Sequence, residues 1–356
     1  MQFCTSVRWP HKHAWTMIAV CVTAWLCGAA RVQAQEEKPI PLLTGSVGFF
    51  TNEEAGRTQL IPVFAPVLLA PLGNRWLIES RAEFSGEFLP QKGTLSGQLE
   101  KEVDYAQIDY IANRYLTVTA GRFLTPFGIY NERLYPIWIR KLENVPIIFP
   151  IGTGSSDGLM LRGGLALNRN ANLNYATYFS TLSNINKLDS DRLTGGRVGI
   201  FLPGPRIEVG TSFQQLLQED RVRSVGFHFG WQPNRVPLNL RSEYAWSGSK
   251  GSGYWVEGAY GLSQISHWQH AMRRLELVGR AQQYLPGNLQ PSDAEEYGLP
   301  LANTRQGDFG LNYYLRDGLK ATASYGRQFS SLGNANLWSF GVAYRFVMPL
   351  GRIGDQ

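Results

Sequence analysis

From about Pro66 onward the chain alternates apolar and polar residues with a period of two, segment after segment. In Arg75–Phe88, Trp76, Ile78, Ala82 and Phe84 share one parity, and Arg75, Glu79, Arg81, Glu83 and Glu87 share the other. Successive side chains of a strand point to opposite faces, so the segment carries one apolar and one charged face. The pattern returns at 101–112, 115–123, 159–167, 173–181, 196–202, 207–213, 222–231 and 238–246, then at 254–262, 275–283, 308–315, 319–325 and 338–346. Turn residues separate many of these segments: Asn168-Arg169-Asn170, Pro203-Gly204-Pro205, Gln232-Pro233-Asn234 and Arg316-Asp317-Gly318. Thr44–Phe50 and Leu60–Ala70 complete the set, although Pro62 and Pro66 fit poorly in a central strand. The expected total is about sixteen, an even number as in single-chain bacterial barrels.

Two all-β architectures suit such a chain, a large soluble β-protein or a transmembrane barrel. Charged residues make up only 17% and aromatic residues 12%, against about 25% charged in a typical soluble domain. No apolar stretch in 44–346 approaches the roughly 20 residues of a spanning helix.

Residues 1–34 read as a secretory leader. Arg8 and Lys12 precede the apolar run Thr16–Ala30, and Val32-Gln33-Ala34 forms a small-x-small cleavage site. The three cysteines, Cys4, Cys21 and Cys27, all lie in it. The exported chain therefore has no disulfide and needs a large core or a closed hydrogen-bonded ladder. Loss of Arg8, Lys12 and Arg31 halves the formal charge of +6, so the basicity is no nucleic-acid footprint. The expected organisation is leader 1–34, N-terminal segment 35–43, barrel 44–346 and tail 347–356.

Connection lengths favour the membrane barrel. Short links (71–74, 113–114, 168–171, 203–206, 232–237, 316–318) alternate with long ones (51–59, 89–98, 124–158, 182–194, 285–306), as short inner turns alternate with long outer loops in outer-membrane barrels. The links 263–273 and 248–252 depart from the rule. Strand-end aromatics Trp76, Tyr110, Tyr178, Trp231, Trp246, Tyr254, Tyr284, Tyr313 and Trp338 are expected in interfacial girdles. The segment Ser339–Phe346, with a glycine and two aromatics on one face, is similar to a barrel-assembly signal, although a tail follows it.

A barrel of sixteen strands encloses water rather than a packed interior. The polar parity lines that lumen, with Arg81, Glu83, Arg162, Arg197, Arg241, Glu243 and Arg280 as chief candidates. Arg75, Arg274, Lys320, Arg345, Glu79, Glu87, Asp109, Glu208, Glu257, Glu276 and Asp308 complete it, nine charges of each sign. The third outer connection, 124–158, is too apolar for a solvated loop: Phe127, Tyr130, Tyr135, Ile137, Trp138, Ile139, Ile147, Ile148 and Phe149. It is expected to fold into the barrel as a constriction. There Glu132, Arg133, Arg140, Lys141 and Glu143 would set a size limit and a transverse field.

The run Ala120-Gly121-Arg122-Phe123-Leu124-Thr125-Pro126-Phe127-Gly128-Ile129-Tyr130-Asn131-Glu132 resembles the strand end that enters the third loop of porin O/P-type (phosphate-selective porin-like) outer-membrane porins. The resemblance implies a sixteen-stranded homotrimeric channel with an inward-folded third loop. Phosphate-selective members carry an arginine ladder and lysine clusters, which the balanced lumen here lacks. Arg122 has the lipid-facing parity of Leu116, Val118 and Ala120. Either a bulge at Gly121 reverses the register or Arg122 lies above the apolar band.

Catalytic signals are weak. The run Gly152–Gly158 comes before an expected strand and reads as a flexible loop end, the leader apart there are only His228, His267 and His270, and no cofactor or metal is expected. The expectation is a non-enzymatic porin in the outer membrane of a Gram-negative-type bacterium. It contacts outer-membrane lipid and passes small hydrophilic solutes or ions by diffusion. The alternative is a barrel without an open channel, acting as an adhesin or structural protein.

Overall fold

The computed structural model describes residues 40–54, 57–91, 94–182, 192–218, 221–264, 269–316 and 318–351. The expected leader and most of the N-terminal segment lie outside the described residues. Sixteen antiparallel strands pair in chain order and close as a barrel. They are β1 (Leu42–Glu54), β2 (Arg57–Leu72), β3 (Trp76–Gln91), β4 (Thr94–Asn113), β5 (Leu116–Leu124), β6 (Ser155–Asn168), β7 (Ala171–Leu182) and β8 (Leu193–Leu202). Then follow β9 (Ile207–Leu216), β10 (Arg223–Trp231), β11 (Leu238–Ser247), β12 (Gly251–Gly261), β13 (Leu275–Leu285), β14 (Thr304–Arg316), β15 (Leu319–Ser330) and β16 (Ala335–Pro349). Pairing of β1 with β16, from Leu42↔Pro349 to Glu54↔Leu337, leaves the sheet no free edge. The closing strand thus runs on through Val347 to Pro349, into the expected tail.

Alternation holds around the barrel. Phe49, Phe64, Leu159, Val198, Phe227 and Phe309 are exposed on the outside, while Arg81, Asp109, Arg197, Glu257, Arg280 and Asp308 are buried on the other parity. Most expected girdle aromatics face outward. Trp76 packs on Tyr110 near the end that bears the chain termini, with ring centroids 4.6 Å apart. Tyr325 packs on Trp338 towards the opposite end, at 4.5 Å. Tyr178 and Tyr284 do not belong to a girdle: both are buried on the inner side. Each packs on inward apolar groups, Tyr178 on Phe123 and Met160 and Tyr284 in a cluster with Trp255.

One other expectation is corrected, and two open points are decided. The links 51–59 and 89–98 are mostly strand, because the β1–β2 and β3–β4 ladders extend to Glu54↔Arg57 and Gln91↔Thr94. Pro62 and Pro66 sit inside β2. The β2–β3 ladder skips both positions, passing from Leu60↔Phe88 to Val63↔Ser85 and from Phe64↔Phe84 to Val67↔Arg81, as a residue without N–H requires. Gly45, at φ +145°, lies opposite Pro66, where a side chain would collide with the Ala65 carbonyl. Finally, no bulge occurs at Gly121. The register is continuous through Gln107↔Gly121 and Gly121↔Gly158, so Arg122 keeps the outer parity. Its charge is met there by Asp157 at 3.0 Å.

Candidate functional site

The longest connection, 125–154, enters the barrel. Its neck is closed by hydrogen bonds: Thr125 N–H donates to Gly154 O (2.9 Å), and the Asn131 amide donates to Thr125 O (3.1 Å) and Gly154 O (2.9 Å). Pro126, Pro136, Pro146 and Pro150 forbid a continuous helix. One wide helical turn, Tyr130–Leu134, forms with the Tyr135 N–H donating to Tyr130 O. Gly128, at φ +64°, precedes it, and a Cβ there would lie 2.5 Å from a Glu243 oxygen. The loop backbone can therefore meet the wall only through glycine at this position.

Wall residues hold the loop along its length. Glu243 accepts from the N–H groups of Ile129 and Tyr130 and from the Trp255 indole. Ser212 accepts from Gly128 N–H, and Arg197 donates to Gly128 O at 2.7 Å. Three ion pairs join loop to wall: Glu132–Arg197 (2.6 Å), Arg133–Glu208 (2.8 Å) and Lys141–Glu276 (2.7 Å). The ammonium of buried Lys320 donates to the carbonyls of Ile137 (3.1 Å) and Arg140 (2.7 Å). The wall therefore satisfies backbone groups that an irregular segment in an interior would otherwise leave unpaired.

Packing reinforces these bonds. Phe127, Ile129, Tyr130, Leu134, Ile148 and Ile151 of the loop form a cluster with Ala245, Trp255 and Tyr284 of the wall and with Ala294 and Leu299 of the connection 286–303. The Tyr130 ring meets Trp255 edge to face at 5.8 Å. Ile137 packs with Phe50, Val63 and Ala343, and Leu142 with Ala259 and Val278. Desolvating such side chains stabilises by about 1.5–3 kcal/mol each.

The loop charges consequently do not face one another across a gap. Glu132, Arg133 and Lys141 are drawn into the wall pairs above. Arg140 donates to Glu143 O (3.0 Å), and its guanidinium lies 5.4 Å from the Tyr135 ring centre. Glu143 is buried, and that burial pushes its carboxyl above the ordinary range. A transverse field from free opposed charges is therefore replaced by a set of clasps. At the mouth, Lys250 donates to Pro150 O (3.1 Å) and lies 3.8 Å from the centre of the Tyr297 ring. Burial lowers its ammonium to about 8.

The other wall candidates form ion pairs on the inner face. Arg81 meets Glu83 at 2.8 Å and Asp104 at 2.9 Å, and Arg162 meets Asp109 at 3.1 Å. Arg241 lies 3.4 Å from Glu257, and Arg280 lies 3.2 Å from Asp308. Sequence parity misses Asp104, which shares the parity of outward Ala106 and Ile108. A register shift between Arg81↔Tyr105 and Ala82↔Val103 turns it inward. It also misplaces Arg75 and Arg274, which are exposed in or beside turns at the terminal end. The inward apolar residues Trp255, Ala259 and Val278 were readable as an apolar stretch of wall, but nothing local says what covers them.

The space that the loop leaves lies against β3–β6. It is lined by Glu79, Tyr105, Gln107, Leu124, Met160 and Arg162 from the wall and Glu132 from the loop. Tyr105, Leu124 and Glu132 also border a second space, lined by Ser46, Arg81, Trp138 and Arg345. The two spaces share these three residues beside the loop.

No family model and no curated protein matches this sequence. Solved structures do match in fold. OmpF of Salmonella typhi, solved as a complex with daunomycin, is 12% identical with a TM-score of 0.58, over 86% of this chain and 97% of that one. OprB of Pseudomonas putida, in a low-pH structure, is 8% identical with a TM-score of 0.54, over 97% of this chain and all of that one. The anion-selective porin of Comamonas acidovorans is 11% identical with a TM-score of 0.53, over 86% and 99%. The chain has the closed sixteen-stranded fold of the outer-membrane porins.

Proposed function

We propose that the protein is an outer-membrane porin of a Gram-negative-type bacterium that passes small hydrophilic solutes or ions by passive diffusion. The observation that carries this reading is the combination of an apolar exterior with a polar interior crossed by one anchored loop; we read the spaces beside that loop, against β3–β6, as the path. The segment Ala120–Glu132 supports an O/P-type kinship, since Pro126-Phe127-Gly128 does lead from β5 into the inward loop. His228, the histidine weighed for an enzymatic role, has a fully covered side chain 3.8 Å from Glu208.

The many clasps and the apolar cluster on the β11–β13 side also suit the second reading, a barrel without an open channel. Planar bilayers separate the two. Purified protein is expected to give stepwise, ohmic current increments; a correctly folded barrel that gives none across several salts would support the closed barrel instead.

A further inference from the structure

The even count of lumen charges hides a difference between two sides of the barrel, and we infer that this makes Glu79 the residue that sets cation preference in the path. The inference rests on the porin reading.

On the β11–β15 side, the cations Arg241, Arg280, Lys141 and Lys320 accompany Glu243, Glu257, Glu276 and Asp308. These groups are bonded to one another or to the loop, and most are buried. Lys141 and Glu276 border a further space near the β10–β11 turn, where they neutralise each other. On the β3–β6 side the balance is negative. Arg162 is engaged by Asp109, Arg197 by Glu132, and the one charge of Arg81 is shared between Glu83 and Asp104. Glu79 lines the space beside the loop, and its hydrogen bond is to the neutral amide of Gln107 at 3.3 Å. Among the described residues, no arginine or lysine forms an ion pair with it.

Arg162 lines the same space, but its ion pair is with Asp109, so Glu79, Asp109 and Arg162 together leave one net negative charge there. A net negative charge beside a narrow aqueous path raises the local concentration of cations and lowers that of anions. Arg345 opposes it. This residue is exposed on the inner parity of β16 and borders the neighbouring space. The path thus meets a net negative charge at Glu79 and a positive charge at Arg345. The space at Glu79 is the smaller of the two, which gives it the larger influence.

The test is the reversal potential in a KCl gradient at low ionic strength. Wild type is expected to prefer K⁺ over Cl⁻. Glu79→Gln, close in size to the native residue, should lower the K⁺/Cl⁻ permeability ratio by about two- to fivefold, the Coulomb influence of one charge about 8 Å from an ion in water. Arg345→Gln should raise it. The barrel contains no cysteine, so Glu79→Cys treated with an anionic thiol reagent should regain cation preference, and with a cationic reagent should lose it further. The preference should fade in 1 M salt, where the screening length falls to about 3 Å. An unchanged ratio in conducting Glu79→Gln, or a wild-type channel that prefers anions, overturns the assignment. Absence of any conductance in wild type overturns the porin reading itself.

Discussion

The β11–β13 wall and the β3–β6 wall are built on the same alternation, yet their inner faces do different work. Trp255, Ala259, Val278 and Tyr284 place apolar groups on the inner parity of β12 and β13, and the loop covers them. On β3–β6 the inner positions include Glu79, Arg81, Gln107, Asp109, Thr119 and Arg162, and the path runs beside several of them. One wall has become half of a packed core, and the other has kept charged and polar groups beside open space. A barrel too wide to fill with wall side chains alone can still acquire a core when a loop supplies the missing apolar partners.

The strongest way to break this contrast is to remove the loop's central span. Deleting Ile137–Ile148 should raise single-channel conductance several-fold, because it opens the lumen next to β12–β16 as well. Circular dichroism should still show a β-rich fold, and an unchanged conductance in that folded barrel would contradict a narrowing role for the loop.

Trp255→Ala tests the packed side alone. The residue is fully buried, meets Tyr130 edge to face and donates to Glu243. Truncating a buried tryptophan costs about 3–5 kcal/mol, so the unfolding midpoint should fall and the open-channel current should become noisier as the loop loosens. Trp246→Ala, at an exposed outer position, serves as the comparison and should leave the noise unaltered. Equal noise in both variants would show that the cluster does not steady the loop.

The smallest effect concerns Lys250 at the mouth, where the loop meets the connection 286–303. Its ammonium sits near 8 in the folded chain because of burial, whereas an unfolded lysine titrates near about 10.4. The unfolded state therefore binds more protons between those values, and stability rises with pH through that window. The gain is lost again as pH falls towards 8, and it amounts to at most about 3 kcal/mol. Thermal midpoints measured from pH 7.5 to 10.5 should show the rise in wild type and lose it in Lys250→Met; parallel curves would remove Lys250 as the cause.

Much of the barrel was legible from residue order. The parity of Trp76 to Phe84 against Glu79 to Glu83 was visible because strand periodicity is local. The inward turn of 125–154 was legible because Phe127, Tyr130, Ile137 and Ile148 need apolar partners. Less accessible were features that depend on a neighbour. Tyr178 and Tyr284 read as girdle residues, since an aromatic at a strand end looks alike on either face. Asp104 read as outward because a register shift is a relation between two strands. Pro62 and Pro66 fitted poorly in the strand expected there because the ladder that skips them is supplied by β3.

The charges show the same division most clearly. Residue order determined their types, their rough balance and the parity of most wall members, all of which follow from a period of two. Tertiary structure decided their partners: Glu132 to Arg197, Arg133 to Glu208 and Lys141 to Glu276, with Glu79 left beside the path. Pairing depends on distances of a few ångströms between strands and a loop far apart in the chain. Closure of the barrel and the fold of the loop set those distances, and no local pattern encodes them.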